Sequence, residues 1–212
     1  MKVELHLHTD CFSPCARSGP AEMMTRLVQT GYKAVYITEH DALWSDQDLA
    51  DLQNRYPTLR IFRGVEVTLN LGSGERNQHM LVLGTSDRRY TELANEPAAL
   101  VAKARAEGCL TILAHPFRWE GSARILAEGI VPDALEYCTC NQEGGLAQQA
   151  MAKAEELDIP FINAGDSHGV DFINRFWIET DVPLIDGRDI RPIVLGGQYR
   201  NCINPQMPAR TW

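Results

Sequence analysis

Lys2-Val3-Glu4-Leu5-His6-Leu7-His8-Thr9 is the stretch on which the fold turns. It is a short apolar run that enters a strand at once and delivers two imidazoles at its end. Residues i and i+2 of a strand share a face, so His6 and His8 point the same way. The pattern recurs along the chain. His40 follows residues 34–38, Glu66 closes residues 60–68, His115 follows residues 110–114, and Asp166 and His168 follow residues 160–164. His79 differs, because it precedes the apolar run 80–84, and that strand is expected to run against the others. Repeated strand ends that deliver imidazole and carboxylate make a multinuclear metal site.

Helix signals separate these runs. Pro20 opens a helix in which Met23, Met24, Leu27 and Val28 recur at helical spacing, and Gly31 closes it. Residues 45–56 form a second helix stopped before Pro57, and residues 97–107 a third with Gly108 behind it. Residues 121–128 read as a short helix, 134–137 as a strand, 144–157 as a long helix and 186–194 as a weaker helical segment. Residues 70–77 are polar and glycine-rich, a loop or hairpin turn that could edge the pocket. Strand and helix in alternation indicate an α/β fold with a mostly parallel sheet. A closed barrel brings every strand's carboxyl end to one face, whereas an open doubly wound sheet gathers ligands only near its switch point. Ligands on this many strands therefore favour a barrel. With no linker and no internal repeat, residues 1–212 read as a single domain.

Composition narrows the partners. A net charge of −8, with no basic stripe, argues against long nucleic acid as the ligand. Two or three divalent cations would cancel about +4 to +6 of that charge inside the pocket, which suits a small anionic substrate. No apolar run approaches membrane-spanning length, no signal peptide is evident, and the six cysteines include no CxxC pair. A cytoplasmic chain with reduced thiols is the expectation.

Taken in order, the motifs HLHTD and SPCA, ITEHD, GVEV, HMLVLG, AHP and GDSH over residues 1–169 resemble those of the PHP (polymerase and histidinol phosphatase) metal-dependent phosphoesterases. HxH alone would be a weak signal, since amidohydrolases also open with it; the ordered set is specific. The resemblance implies a distorted (β/α)7 barrel with two or three divalent metals (zinc, manganese or iron) at the C-terminal ends of the strands. It implies His6, His8, Glu66 and Asp166 at a first site. Glu66, His79 and His115 would make a second, with Glu66 bridging, and His40 and His168 would belong to a third. Imidazole with carboxylate suits those metals better than calcium. Glu39, where the family usually has Asp, reads as a group that orients a ligand.

One segment departs from the family pattern. After HxHT the family often carries an Asp or His that completes the third site, and here Ser13 or Pro14 holds the slot. Cys15, Asp10 or water stand as alternative donors. Near the sixth strand, Cys138, Cys140 and Asn141 are candidates facing the metals, with the two cysteines equally readable as small core residues. Arg17 and Arg118, close behind metal motifs, are candidates for binding phosphate, and Arg175 is a weaker one.

The activity this implies is hydrolysis of a phosphoester on a small phosphorylated metabolite or short nucleotide by a metal-activated hydroxide in a di- or trinuclear site. Glu66, Asp166 and His168 are the candidate catalytic residues. Two rivals remain. An amidohydrolase-type enzyme usually needs a bridging lysine or equivalent, and no lysine lies between Lys33 and Lys103. A non-catalytic metal-binding module would be expected to have lost more of its ligands. Oligomeric state is not legible. Pro205, Pro208 and Trp212 could pack on a partner or cover the barrel's flank.

Overall fold

A computed structural model describes residues 1–70 and 78–206. The loop expected at 70–77 falls almost wholly outside the described residues, as do Pro208 and Trp212.

The described residues build one nine-stranded sheet in the order β7-β6-β5-β4-β3-β2-β1-β8-β9. The strands are β1 (Lys2–Glu4), β2 (Ala34–Ile37), β3 (Arg60–Leu69), β4 (Gln78–Leu83), β5 (Leu110–Ala114), β6 (Ala134–Glu136), β7 (Phe161–Ile162), β8 (Phe176–Thr180) and β9 (Tyr199–Ile203). β1, β2 and β3 pair in parallel, as do β5, β6 and β7, while β4 is antiparallel to both β3 and β5. The expected reversed strand is therefore present. It begins at Gln78, so His79 lies inside it rather than before it, opposite Thr68 and Ala114. Reversal places the start of β4 at the rim where the parallel strands end.

The sheet curls until its two sides nearly meet. Beyond β1 and β7 the chain continues the closure, with Leu7 bridging Ser167 in parallel and His8 N–H donating to the Ser167 carbonyl at 3.0 Å. The sequence reading had not resolved β8 and β9, which form an antiparallel hairpin on the other edge of β1. This hairpin fills the lower part of the seam. Tyr199 Oη and Asn201 Nδ2 donate to the Phe161 carbonyl, and Asn163 Nδ2 donates to that of Cys202. The result is a nearly closed α/β barrel distorted by one reversed strand and a wedge hairpin.

Helices α1 (Pro20–Gln29), α2 (Asp46–Arg55), α3 (Pro97–Glu107), α4 (Arg124–Ala127), α5 (Gly145–Glu156) and α6 (Ile190–Leu195) accompany the sheet. Residues 186–194 are less regular than expected: a 3-10 turn, Gly187–Asp189, precedes α6. Alternation along each strand sorts the core. Val3, Leu5, Tyr36, Leu81, Leu83, Ile112, Ala134 and Ile162 meet inside the barrel. Val65, Val67, Met80, Val82 and Leu113 pack outward with Leu100 and Val101 of α3, and Val35 and Ile37 with Met23, Met24 and Leu27 of α1.

β1 breaks that alternation. Val3 and Leu5 belong to the interior cluster, yet Leu7 packs with the outer one, so the inward parity shifts before His6. A fully buried carboxylate stands at the shift: Glu4 Oε1 accepts the N–H groups of Leu5 (3.0 Å), His6 (3.1 Å) and Gly165 (2.7 Å). It supplies the acceptor the interrupted ladder lacks. Burial pushes the Glu4 carboxyl up to about 7, against the pull of those N–H donors. The shift lets both His6 and His8 face inward at the rim.

Gly165 is the matching concession on the opposite strand. A Cβ there would lie 2.3 Å from Glu4 Oε2 and 2.5 Å from Ser167 Oγ. Gly165→Ala should therefore cost about 1–3 kcal/mol of stability, read as a lower urea midpoint. An unchanged midpoint would contradict this close packing.

Candidate metal centre

Several strand ends deliver their polar side chain by simple parity. Ala34 and Tyr36 face inward on β2, and His40 continues that register; Leu81 faces inward on β4, and so does His79. On β5 the inward residue is Ala114, so alternation would turn His115 outward. His115 instead has a left-handed φ of 30°, and Asp166 one of 48°. Such backbone is costly for residues with a Cβ and persists where the surroundings over-determine it. All eight predicted ligands arrive at one place.

Glu66 lies at the centre, fully buried on β3. Its Oε1 is 2.8 Å from His79 Nδ1 and 3.3 Å from His115 Nε2. Its Oε2 is 3.2 Å from His6 Nε2, 3.1 Å from His8 Nε2 and 3.0 Å from His40 Nδ1. Asp166 divides in the same way. Oδ1 lies 3.5 Å from His6 and 3.6 Å from His8, while Oδ2 lies 3.9 Å from His115 and accepts from Asn141 Nδ2 at 2.5 Å. Burial alone would raise the Glu66 carboxyl, but His6, His79 and His115 outweigh it and hold Glu66 well below the usual range. Asp166, likewise buried, is held low chiefly by His6 and His8. His40 and His168 are the more open imidazoles, and burial lowers them to about 3 and about 4.

The hydrogen-bond network assigns the histidine tautomers. His6 Nδ1 meets the Glu136 carboxylate at 2.7 Å, so that nitrogen carries a proton and Nε2 is the one left to face the centre. Ser13 Oγ donates its only hydrogen to Glu39 Oε2 at 2.6 Å, so His8 Nδ1, 3.1 Å from Ser13 Oγ, must donate to it. His8 Nε2 is likewise the nitrogen left to face the centre. The two Nε2 atoms lie 2.9 Å apart; burial opposes charge there, but the carboxylates around them, Glu136, Glu66 and Asp166, outweigh it and favour a positive charge on the pair. Glu66 Oε2 has no hydrogen-bond donor despite three imidazole nitrogens within 3.2 Å. Imidazole nitrogens and carboxylate oxygens that converge in a buried pocket fit a cation, so the residues present suit the metal that the motifs imply. Among the described residues, three groups have donor atoms spaced for one ion: His6, His8 and Asp166; His40, Glu66 and His79; and His8, His40 and His168.

The remaining candidates separate. Glu39 acts as an orienting group, accepting from Thr9, Ser13 and Trp44. Ser13 is buried behind His8 rather than facing the centre, and its Oγ also receives the His40 N–H at 3.2 Å. Cys15 and Asp10 belong to none of the three groups. Arg17 is turned aside into a two-oxygen pair with Asp171 at 2.9 and 3.0 Å, although its own N–H donates to the His168 carbonyl. Arg118 stays at the centre, its Nη1 3.9 Å from Asp166 Oδ2. Arg175 is nearly buried against Glu143 at 2.8 Å. Cys138 and Cys140 pack with Ala147 and Phe176, whereas Asn141 reaches Asp166. Glu136, the last residue of β6, is not among the candidates that the sequence offers. It holds His6 Nδ1 and accepts the His115 N–H at 2.7 Å. The available signal was its parity, one inward step beyond Ala134 at a strand end.

Solved structures share this fold. A two-domain protein from Bacteroides vulgatus containing a predicted PHP-like metal-dependent phosphoesterase superposes with a TM-score of 0.68 at 15% identity, over 96% of this chain and 64% of that one. The chain thus spans under two thirds of that protein. An amidohydrolase from Chromobacterium violaceum, with bound sulfate and no metal, gives 0.60 at 12% identity, covering 80% of this chain and 88% of that one. The lesion-specific endonuclease PfuEndoQ from Pyrococcus furiosus gives 0.64 at 15%, over 94% and 57% of the two chains. No family model and no curated protein matches. The resemblance to PHP phosphoesterases carried by the motifs therefore extends to the fold, which is also shared by an amidohydrolase.

Chelator-treated protein should gain stability when zinc, manganese or iron is added, by about 2.7 kcal/mol at a hundredfold excess over Kd. Glu66→Gln should lose most of that gain. Glu136→Gln should bind metal about 10- to 100-fold more weakly while remaining folded. No shift of the melting temperature with any of these ions would contradict the assignment of a cation to this cluster.

Proposed function

We propose that the chain is a metal-dependent phosphoesterase acting on a small phosphorylated substrate. The observation that carries this reading is the division of Glu66, with Oε1 toward His79 and His115 and Oε2 toward His6, His8 and His40. A carboxylate so divided is suited to bridge two cations. His6, His8 and Asp166 would hold one and His79 with His115 the other, with His40 able to join either side through Glu66.

The grouping of donors favours a pair over a triad. His6–His8–Asp166 and His40–Glu66–His79 share no residue, whereas His8–His40–His168 draws on both. Each imidazole offers one inward lone pair, so a third ion would compete with the first two for His8 and His40. Bound divalent cations supply Lewis-acid polarisation of a phosphoryl oxygen and make water nucleophilic near neutral pH.

The chain's own residues do the rest. Glu136 and the Ser13–Glu39 relay keep His6 and His8 in fixed tautomers, so no reorganisation is needed when substrate arrives. Arg118, desolvated beside Asp166, would pair with a phosphoryl oxygen. His168 meets the Asp166 carbonyl through Nδ1 at 3.1 Å, which fixes its ring and leaves Nε2 as a proton acceptor, suited to take a proton from the attacking water rather than to supply one. Arg17, held by Asp171, serves this role less well.

An amidohydrolase reading has one supporting observation, the shared fold of the Chromobacterium protein. Two buried carboxylates, an adjacent arginine and the absence of lysine from residues 34–102 favour a phosphate ester.

Metal-stripped protein reconstituted with manganese, zinc or iron should hydrolyse a phosphomonoester reporter, and Asp166→Ala or His8→Ala should abolish this while the chain stays folded. Arg118→Ala should lower kcat/KM by about 10-fold or more, the loss expected for a charged hydrogen bond. A phosphodiester reporter run beside it separates a phosphatase from a nuclease-like activity, the latter suggested by the fold shared with an endonuclease. Turnover of neither ester with any metal would overturn the proposal.

A further inference from the structure

The turn after β5 places a guanidinium over an indole at the rim of the histidine cluster. Arg118 and Trp119 are neighbours in sequence, and the Arg118 guanidinium carbon stands 4.0 Å from the centre of the Trp119 ring. The indole is 39% exposed, and it meets His115 at 5.4 Å and His79 at 6.2 Å with planes close to perpendicular. It therefore abuts two imidazoles of the cluster and carries the guanidinium at the same time. The segment that bears it is tied down. Arg118 N–H donates to the His115 carbonyl at 3.0 Å, which folds the chain back toward the cluster. Fully buried Ser122 donates to the Pro116 carbonyl at 2.8 Å and receives the Trp119 N–H at 3.3 Å. Phe117 N–H donates to Gln142 Oε1 at 2.8 Å, and Gln142 is itself anchored on the Glu136 and Tyr137 carbonyls.

Among the described residues, two other arginines lie over rings, and they differ from Arg118 in what else they hold. Arg17, 5.1 Å from the Phe172 ring, is engaged by both oxygens of Asp171. Arg175, 5.5 Å from the Phe176 ring, donates to Glu143 at 2.8 Å. Arg118 is nearer its ring than either, while the carboxylate beside it stays at 3.9 Å, beyond hydrogen-bond length. That Asp166 oxygen takes its hydrogen bond from Asn141 instead. A ring face attracts a cation without occupying any of its N–H groups, whereas a carboxylate consumes them. The partner of Arg118 is therefore one that leaves the planar fork available for a ligand.

We infer that Trp119 is the positioning residue for Arg118: its ring holds the guanidinium beside Asp166 and keeps the N–H fork free for a phosphoryl oxygen. The inference rests on the phosphoesterase reading for what Arg118 binds, and adds the residue that makes Arg118 competent to bind it. Trp119 touches no reacting atom, so its effect passes through Arg118. Without the ring, the long side chain is free to close onto Asp166 or to turn into solvent. Ordering it again would then draw on the binding free energy of the phosphate. A cation–π contact shifts such an equilibrium by about two- to thirtyfold, the larger figure applying where the pair is desolvated.

Inorganic phosphate, the product of phosphomonoester hydrolysis, is the probe, so the test does not depend on turnover. It is titrated calorimetrically into metal-loaded protein and into the Trp119→Leu, Trp119→Phe, Arg118→Ala and Trp119→Leu/Arg118→Ala variants. Folding is checked by circular dichroism and bound metal by elemental analysis. Leucine keeps apolar bulk at the position without a ring face, and phenylalanine keeps the face. Arg118→Ala should weaken phosphate binding about tenfold or more, and Trp119→Leu about threefold or more. Trp119→Phe should cost less than about twofold. The double variant should bind no more weakly than Arg118→Ala alone, the coupling expected of two residues that act as one. Additive losses in the double variant, or unchanged binding in Trp119→Leu or Arg118→Ala, would overturn the positioning role and leave the phosphoesterase reading standing. So would a loss in Trp119→Phe as large as that in Trp119→Leu. Loss of bound metal from both Trp119 variants would overturn it as well, since the ring would then serve His79 and His115 rather than Arg118. No phosphate binding by the unaltered metal-loaded protein would overturn both readings.

Discussion

Two imidazole nitrogens 2.9 Å apart, with a Glu66 carboxylate oxygen 3.1–3.2 Å from both, are the constraint from which the rest of the site follows. Such a cluster holds together around positive charge, a proton or a metal ion. His6, His8 and Glu66 are all fully buried, so water cannot take that charge's place. The chain nevertheless invests in holding them there. Glu136 fixes one ring, and Ser13 with Glu39 fixes the other.

The barrel provides that positioning through strand parity, and it bends parity where needed. On β2, β3, β4 and β6 simple alternation suffices to turn His40, Glu66, His79 and Glu136 inward. On β1 it does not, and Glu4 carries the shift by accepting three backbone N–H groups. After β5 a left-handed residue does the same for His115. The antiparallel β4 is a third device: reversal brings its first residues, rather than its last, to the functional rim. Each distortion of the barrel coincides with a residue of the cluster, as expected if local strain is retained where it serves a site.

Much of this was legible in sequence because each ligand sits beside an apolar run. Such runs report strands, and strand ends in an α/β barrel converge. The reversed strand could be read for the same reason, since His79 comes before its run and not after it. What stayed hidden involves contacts distant in sequence. Glu136 could be placed at a strand end, but its partners His6 and His115 come from two other strands. Glu4 looked like an ordinary polar residue of a short strand, and only its burial against Gly165 reveals its task. The hairpin β8–β9 was missed because its strands, FWIET and YRNCI, show little of the apolar continuity of the inner strands. Ser13 occupied a slot where a ligand was sought, and its hydrogen bonds show a supporting role one layer further out. Arg17 illustrates the limit of proximity in sequence: it follows a ligand motif closely, yet Asp171 claims its guanidinium.

The account stands or falls on where cations bind. Crystals of the protein grown with manganese or zinc, with anomalous diffraction collected at the metal's absorption edge, would measure this directly. Two peaks are predicted, one on each side of the Glu66 carboxylate, the first against His6, His8 and Asp166 and the second against His79 and His115. The absence of any peak within the histidine cluster of metal-loaded protein, or peaks only at surface carboxylates, would contradict it.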